Sequence, residues 1–240
     1  MEFEGIITSV TAYRESDGIV NLLTKNGFVT FTAHGILKIN AKLTSLCQLY
    51  NVVKVDLSQN KKSSHYTLQS GEILKSFKKL YENIEAMLTL SFIIELAKKT
   101  IDEENTPSIY EAILVCLDAI LMQKDLRTIR LAFLAHIINN VGLTLNVNEC
   151  VRCGSKKGII SLSYVDGGFV CHKCLLPTDI QHKPLYIKMA RYVMIAPLNE
   201  VIEKELPEFE CNALFRDFYH FLSEQLDIKL KNFELLVKIL

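Results

Sequence analysis

The chain has 240 residues, of which 49% are hydrophobic and 22% charged, and this balance excludes an intrinsically disordered protein. No run of about 18 apolar residues is present and the first residues lack the features of a signal peptide, so we expect a cytoplasmic protein without a membrane anchor. The formal net charge is zero, which excludes a uniformly basic protein.

The charge is nevertheless distributed unevenly along the chain. Residues 1–80 contain 10 Lys and Arg against 6 Asp and Glu, whereas residues 81–149 contain 5 against 10. Residues 150–240 are nearly balanced, with 12 against 11. Because affinity for phosphate depends on the local field, the N-terminal segment is the better candidate for binding a polyanion.

The first part of the chain predicts a small β-barrel, since short apolar and β-branched runs alternate with turn signals. The predicted strands are residues 5–13, 19–24, 28–33, 46–57 and 66–74. Asn26-Gly27 is a strong hairpin signal, and a longer basic connection at residues 35–43 follows the third strand. Five strands joined in this way favour a Greek-key barrel of the OB type, with a sandwich as the alternative.

From about Phe77 the spacing of apolar residues changes from two to about 3.6, which indicates helices. Helices are predicted at residues 109–121 and 126–141 and again, after an insert that contains cysteines, at 184–197 and 209–240. The predicted fold class is therefore α+β. The expected domains are a barrel at 1–78, a helical domain at 79–149 and 180–240, and an insert at 150–179.

The insert carries two Cys-x-x-Cys pairs, which are the strongest signal in the sequence. Cys150 and Cys153 precede Cys171 and Cys174 by the spacing that lets two knuckles close one tetrahedral zinc site through a β-hairpin. Gly154 follows the first pair, where a knuckle often needs a positive φ. Four thiolates leave no open position for water, so we predict one structural Zn²⁺ per chain rather than a catalytic ion.

Two alternatives to this zinc site are open. His172 lies between two of the cysteines and would replace one of them in a Cys₃His site, and a redox-active pair is the other possibility. The remaining cysteines lie in apolar stretches and are expected in the core; they are Cys47, Cys116 and Cys211.

The order of these parts resembles the bacterial DNA repair and recombination protein RecO family over nearly the whole chain. The resemblance includes residues 5–7, 13–17 and 35–38, the segment 126–134 before the cysteines, and 150–154. Lys229-Leu230-Lys231 resembles the closing helix of the family, although Asn232 replaces the usual serine, and the loop at 38–42 is less basic than is common.

The resemblance implies an OB-fold joined to a helical domain with a zinc-binding insert. The implied activity is recombination mediation with annealing of single-stranded DNA. The implied partners are single-stranded DNA, duplex DNA as a second ligand, RecR, and single-stranded DNA-binding protein (SSB). The implied role is to load the recombinase RecA onto single strands that SSB coats. A nucleoid-associated cytoplasmic location follows from this role.

An OB barrel binds single strands through a basic groove and aromatic platforms. The predicted DNA-binding residues are Arg14, Lys38, Lys42, Lys61 and Lys62. Phe31, Tyr50 and Tyr66 are the aromatic candidates, but aromatic side chains on alternating strands usually belong to the core.

A second positive cluster lies in the acidic segment. Lys124, Arg127 and Arg130 would form one stripe on a helix if Lys124 belongs to that helix, and we predict that this stripe binds the acidic tail of SSB. The alternative is pairing with nearby carboxylates such as Asp118 and Asp125.

Enzymatic function is not expected. The sequence contains no phosphate-binding glycine loop, no His-Glu-x-x-His and no Gly-x-Ser-x-Gly, and residues 102–104 resemble a solvated acidic loop. The predicted function is a recombination mediator, and the rival is a zinc-stabilised protein–protein adaptor that does not touch nucleic acid. DNA binding over a range of salt concentrations distinguishes the two.

Overall fold

A computed structural model describes residues 1–38, 43–59 and 65–238, in two compact units. The first unit consists of Met1–Leu90 and Ile101–Glu111, and the second of Ser91–Thr100 and Ala112–Leu240. The limits expected for the three domains stay predictions, since this division follows spatial contacts. None of the helices in the described ranges is long and apolar enough to cross a membrane.

The first unit contains a closed five-stranded barrel, which confirms the predicted OB-type architecture. Its strands follow each other around the barrel in the order β1-β2-β3-β5-β4, and only β3 and β5 pair in parallel. The strands are β1 (Glu2–Tyr13), β2 (Asp17–Thr24), β3 (Gly27–Ala33), β4 (Val52–Gln59) and β5 (Tyr66–Lys75).

Strand β1 closes the barrel because it pairs with both of its neighbours. Its first half pairs with β4 and its second half with β2, and the register shifts between Ile7 and Ser9. Close approach at Gly5 permits this, since a Cβ there would lie 2.3 Å from the carbonyl oxygen of Leu23. Alternating side chains from all five strands fill the interior, including the fully buried Ile7 and Leu22.

The strand expected at residues 46–57 begins only at Val52. Leu46 and Cys47 are buried in the barrel core from a turn, and not from a strand. Tyr50 has a φ of 67° and donates its N–H to the carbonyl of Ile7 at 2.8 Å, so the chain cannot run extended through this point. The apolar run at residues 46–51 therefore predicted buried side chains correctly but predicted the wrong secondary structure.

Helices and one hairpin form the regular secondary structure of the rest of the described chain. A short 3₁₀ helix at Lys78–Glu82 follows the barrel. The helices are α1 (Ile84–Thr100), α2 (Thr106–Leu121), α3 (Leu126–Asn140), α4 (Pro184–Ile195), α5 (Leu198–Glu203), α6 (Glu208–Leu226) and α7 (Lys231–Val237). The hairpin consists of β6 (Ile159–Ser163) and β7 (Gly168–Cys171), as the sequence predicted.

The last predicted helix is in fact two. Asp227 ends α6 in the left-handed conformation, with a φ of 50°, and α7 begins only at Lys231. The carboxylate of Glu95 then accepts the backbone N–H groups of Lys231 and Asn232, both at 3.0 Å, and so caps α7. Helical spacing continues through the break because both pieces bury apolar residues on the same core.

Helix α3 is the central helix of the second unit. It packs against α4, α5 and α6, and ten of its fifteen residues are buried. A helix surrounded by others needs no polar face, which explains why apolar residues cover it on all sides.

Candidate metal centre and nucleic-acid surface

The two cysteine knuckles are built by tight backbone turns at the ends of the β6–β7 hairpin. Gly154 has a φ of 73° and donates its N–H to the carbonyl of Cys150 at 2.8 Å, as the knuckle pattern predicted. Cys174 donates its N–H to the carbonyl of Cys171 at 3.0 Å in the second turn. Val151 is joined to β7 through a 2.8 Å hydrogen bond to Phe169, which holds the first knuckle against the hairpin.

These turns bring the four thiols together. The Sγ atoms of Cys150, Cys153, Cys171 and Cys174 all lie within 4.8 Å of one another, and those of Cys153 and Cys171 are 3.7 Å apart. Ligands about 2.3 Å from a tetrahedral ion are separated by about 3.8 Å, so this cluster has the dimensions of one metal shell.

The protonation of the cluster points to the same conclusion. Burial raises the pKa of the Cys150 thiol, but backbone N–H groups of Cys171, Arg152 and Cys153 outweigh burial and bring this pKa to about 6. Hydrogen bonding to Cys153 and burial raise the pKa of Cys174 to about 12. The cluster therefore stabilises the Cys150 thiolate, whereas the Cys174 thiol needs a nearby cation before its sulfur becomes a ligand.

Arg152, inside the first knuckle, ties the insert together. Its guanidinium forms ion pairs with Asp166 in the hairpin turn and with Asp179 beyond the second knuckle, the latter at 2.5 Å. It also donates to the carbonyl oxygen of Cys174 at 2.6 Å. These hydrogen bonds raise the pKa of Arg152 and lower the pKa values of both aspartates, so all three groups stay charged.

One end of the barrel presents exposed basic and aromatic side chains beside the exposed carboxylate of Glu15. We call Tyr13, Arg14, His34 and Lys38 the basic barrel end: the first two lie at the β1–β2 turn and the last two in the loop after β3. The Arg14 guanidinium lies 5.0 Å from the centre of the Tyr13 ring. All four side chains are exposed to solvent.

Asp17 holds these two loops together. Its carboxylate accepts the backbone N–H of Gly35 at 2.8 Å and contacts Nδ1 of His34 at 2.8 Å. The Leu37 N–H also donates to the carbonyl of Ser16 at 2.9 Å. The Gly35 N–H and the His34 ring hold the pKa of Asp17 below its usual value, so the link persists at neutral pH.

Only some of the residues predicted to bind DNA belong to this surface. Arg14 and Lys38 belong to the basic barrel end, whereas Lys42, Lys61 and Lys62 lie outside the described residues. The aromatic candidates Phe31 and Tyr50 are buried in the barrel, and Tyr66 packs edge-on against Phe3. Tyr13, which the sequence reasoning did not propose as a platform, is the exposed aromatic side chain beside Arg14.

The stripe expected for the tail of SSB is not present as predicted. Lys124 lies before α3 and pairs with Glu203 at 2.5 Å, so the assumed helical spacing does not apply. Arg130 is fully buried, with its guanidinium 5.9 Å from the centre of the Phe215 ring, and is inaccessible to a ligand in this conformation.

Arg127 is the one predicted residue of that stripe which lies on α3 and reaches the surface. It is 30% exposed and forms ion pairs with Asp125 and Glu208, which line a cleft of about 750 Å³ with it. The pairing with Asp125 that was the alternative reading is thus observed.

Comparison with known proteins decides the family. The model of the recombination protein O N-terminal domain matches residues 1–77, and that of the recombination protein O C-terminal domain matches residues 81–234. The chain belongs to the RecO family. The resemblance noted in the sequence is therefore confirmed.

Relatives with the same description come from several bacteria. The DNA repair protein RecO of Bacillus subtilis (strain 168) is 29% identical over 239 residues, which cover 96% of this chain and 92% of the relative. The protein of the same name from Bacillus pumilus (strain SAFR-032) is 27% identical over 225 residues, 90% and 86% of the two chains. RecO of Listeria monocytogenes serotype 4b (strain CLIP80459) is 29% identical over 174 residues, 71% and 67%. This chain is accordingly a RecO-family DNA repair protein.

Sequence reasoning missed Arg152 and Asp17 as positioning residues. A charged residue inside a Cys-x-x-Cys motif and acidic residues at the hairpin turn were visible, but their pairing joins positions up to 27 residues apart. Asp17 was noted only within residues 13–17 of the family resemblance, and its link to Gly35 depends on barrel closure.

Proposed function

We propose that this chain is a recombination mediator that binds and anneals single-stranded DNA and helps load recombinase onto SSB-coated strands. The basic barrel end is the single structural observation that carries this proposal, and membership of the RecO family supports it. In the proposal the barrel (1–78) binds DNA, the helical domain (79–149 and 180–240) holds partners, and the insert (150–179) has a structural role. No step of bond-making chemistry is required of any residue.

The chemistry of the basic barrel end suits a single strand of DNA. Arg14 and Lys38 supply cations for phosphates, and the exposed Tyr13 ring offers a stacking surface for a base. Annealing uses the same features, because a cationic surface lowers the repulsion between two strands. The rival, a zinc-stabilised adaptor that docks only proteins, predicts no salt-dependent affinity for an oligonucleotide.

The test is the salt dependence of binding to a single-stranded oligonucleotide. Each phosphate contact contributes a slope of about −0.7 in log K against log salt, so Arg14→Ala with Lys38→Ala should reduce the slope magnitude by about 1.4. Annealing of complementary strands should slow in parallel. Electrophoretic mobility shift at several salt concentrations measures the slope.

Lys25→Ala is the matched control. Lys25 lies at the β2–β3 turn and pairs with Glu111 on the surface. The basic barrel end lies at the opposite end of the β2–β3 hairpin, where Gly18 pairs with Ala33. Removing Lys25 changes the net charge by the same amount per site. Equal effects of the control and the test variant would argue for a general charge effect. An unchanged slope in a folded double variant would move the DNA path elsewhere, first to Lys61 and Lys62.

The metal in this proposal is one structural Zn²⁺ held by Cys150, Cys153, Cys171 and Cys174. Thiolate ligands select zinc among the common hard and borderline ions, and a complete shell of four leaves no site for substrate. The ion would cross-link the two knuckles, and Arg152 and the hairpin would keep the thiols in position.

Two protein partners belong to the same proposal. The acidic tail of SSB would bind beside Lys124 and Arg127, displacing the carboxylates that now pair with them. RecR would bind directly, and co-elution of the two purified proteins tests that part. Duplex DNA is the second nucleic-acid ligand that the proposal admits, by the same phosphate contacts.

A further inference from the structure

A groove of about 460 Å³ lies within the second unit, between the insert and helix α6. One wall consists of the hairpin turn and the segment after the second knuckle. The other wall is the face of α6 that carries Asp217, His220, Phe221 and Glu224. No part of the basic barrel end and neither Lys124 nor Arg127 lines it.

The rim of this groove is unusually apolar for a surface. Val165 is 98% exposed, Ile180 is 71% exposed and Leu176 is 51% exposed. Isolated aliphatic side chains on a surface are common, but three around one concave site, with Phe221 lining it as well, are typical of a docking site.

The polar lining is acidic. One arginine, Arg152, faces four carboxylates, and it already pairs with Asp166 and Asp179. Within the described ranges no cation pairs with either of the remaining two, Asp217 and Glu224. The α6 wall therefore presents negative charge that nothing in this part of the chain neutralises.

A partly buried hydrogen-bond chain orients one of these carboxylates. The Tyr186 hydroxyl donates to Asp217 at 2.5 Å and lies 3.1 Å from the hydroxyl of Tyr164. His182 stacks on the Tyr186 ring with centroids 4.0 Å apart, and burial lowers its pKa, so it adds no positive charge at neutral pH. Asp217 is thus fixed in place before any ligand arrives.

We infer that this groove binds an extended segment of a partner protein in which aliphatic side chains stand next to a lysine or arginine. The aliphatic side chains would cover Val165, Leu176 and Ile180, and the cation would meet Asp217 and Glu224. The same carboxylates would repel a nucleic-acid backbone, so this surface is complementary to the DNA-binding role proposed for the barrel and separate from it.

Peptide selection on the full-length, zinc-loaded protein tests this inference. A phage-displayed library of random dodecapeptides is selected on the parent protein after depletion on a Val165→Ser, Ile180→Ser variant. The expected enrichment combines aliphatic residues with lysine or arginine. A fluorescein-labelled copy of an enriched peptide should bind about tenfold more weakly to an Asp217→Asn, Glu224→Gln variant, as measured by anisotropy.

Met122→Ser is the control, because Met122 is 70% exposed in the same unit but does not line the groove. It should leave affinity within about twofold of the parent, the range expected for a surface substitution. Asparagine at position 217 can still accept from Tyr186, and zinc content with circular dichroism checks that each variant is folded. The inference would be overturned if no peptide bound the parent protein more tightly than the Val165→Ser, Ile180→Ser variant, or if the enriched peptides were acidic. It would also be overturned if the two carboxylate changes left peptide affinity unaffected.

Discussion

Single charged side chains join segments that are distant in the sequence of this protein. Arg152 connects the first knuckle to Asp166 and Asp179, and Glu95 caps a helix that begins 136 residues later. Asp17 does the same for two loops of the barrel. Each of these links uses charge-assisted hydrogen bonds to backbone or to an opposite charge, which hold geometry better than neutral contacts do.

The Asp17 link is expected to depend on pH. Its folded pKa is lowered, first by the Gly35 N–H and then by His34, so the stabilisation is complete above the unfolded value of about 3.9. It is lost as the pH falls through the lower folded value. Between about pH 5 and pH 2, protection factors for the Gly35 and Leu37 amides in hydrogen exchange should therefore decrease.

Asp17→Asn supplies the control, since its amide oxygen can accept from Gly35 but does not titrate. Protection at Gly35 in this variant should not follow pH over the same range. The Leu22 amide, inside the β2 ladder, reports unfolding of the whole barrel. If the Gly35 and Leu22 amides of the parent both kept their full protection down to pH 2, the Asp17 carboxylate would not be the group that joins the two loops.

Helix α3 shows how an element can be predicted correctly and its surface incorrectly. Its bounds differ from the prediction by one residue, and Asp125 caps it by accepting the N–H of Arg127 at 3.1 Å. Its position at the centre of the second unit, however, buries Arg130 completely. The positive charge left for a partner on this side is that of Lys124 and Arg127.

The proposed binding of the SSB tail can be tested on these two residues. Lys124→Gln and Arg127→Gln should each weaken a fluorescein-labelled SSB-tail peptide by a few-fold, the range of an exposed charge pair worth about 0.2–1 kcal/mol. Fluorescence anisotropy at low salt measures the affinity. Affinity for single-stranded DNA should stay nearly unchanged.

Lys188→Gln is a matched change, because Lys188 is an exposed lysine on α4 in the same unit. It should not affect the peptide. Loss of peptide and DNA binding to the same extent would indicate a shared surface or misfolding, and undiminished peptide affinity in the Lys124→Gln, Arg127→Gln double variant would exclude this site.

On the scale of the whole molecule, the proposed roles are divided between the two units. The basic barrel end belongs to the first unit, while the cysteine cluster, the cleft beside Arg127 and the acidic groove belong to the second. A net charge of zero is therefore compatible with DNA binding, since the basic barrel end and the acidic groove belong to different units.

Metal removal should affect the second unit selectively. Elemental analysis is expected to find about one zinc per chain, and Cys153→Ser with Cys174→Ser should lose it, because two remaining thiolates cannot complete the shell. As metal binding is coupled to local folding, the insert should then lose hydrogen-exchange protection at Val151 and Phe169. The barrel amides should keep theirs.

Cys116→Ala controls for the loss of a cysteine outside the cluster. Cys116 is completely buried in an apolar environment, which raises the pKa of its thiol, and it should not contribute to metal content. Full zinc retention in the Cys153→Ser, Cys174→Ser variant would disprove the assignment of the ligands. If the parent protein contained a different metal, the identity of the ion would be wrong, but the assignment of the four ligands would stand.

The sequence by itself determined the elements that depend on local chemistry. Periodicity of two and then 3.6 predicted the barrel and the helices, Asn26-Gly27 predicted a hairpin, and the paired cysteines predicted their own cluster. These features involve neighbours within a few residues, or a motif whose spacing carries the geometry, so no knowledge of packing was needed.

Only the tertiary structure decided which charged side chains are accessible to solvent. It also decided which buried apolar residues lie in turns and not in strands. Arg130 and Arg127 look alike in sequence, yet packing around α3 buries one and exposes the other. The turn at Tyr50, the link from Asp17 to Gly35 and the acidic groove all arise where distant segments meet. Solvent exposure and long-range pairing arise only when the barrel closes and the helices pack. A local sequence pattern therefore cannot predict them.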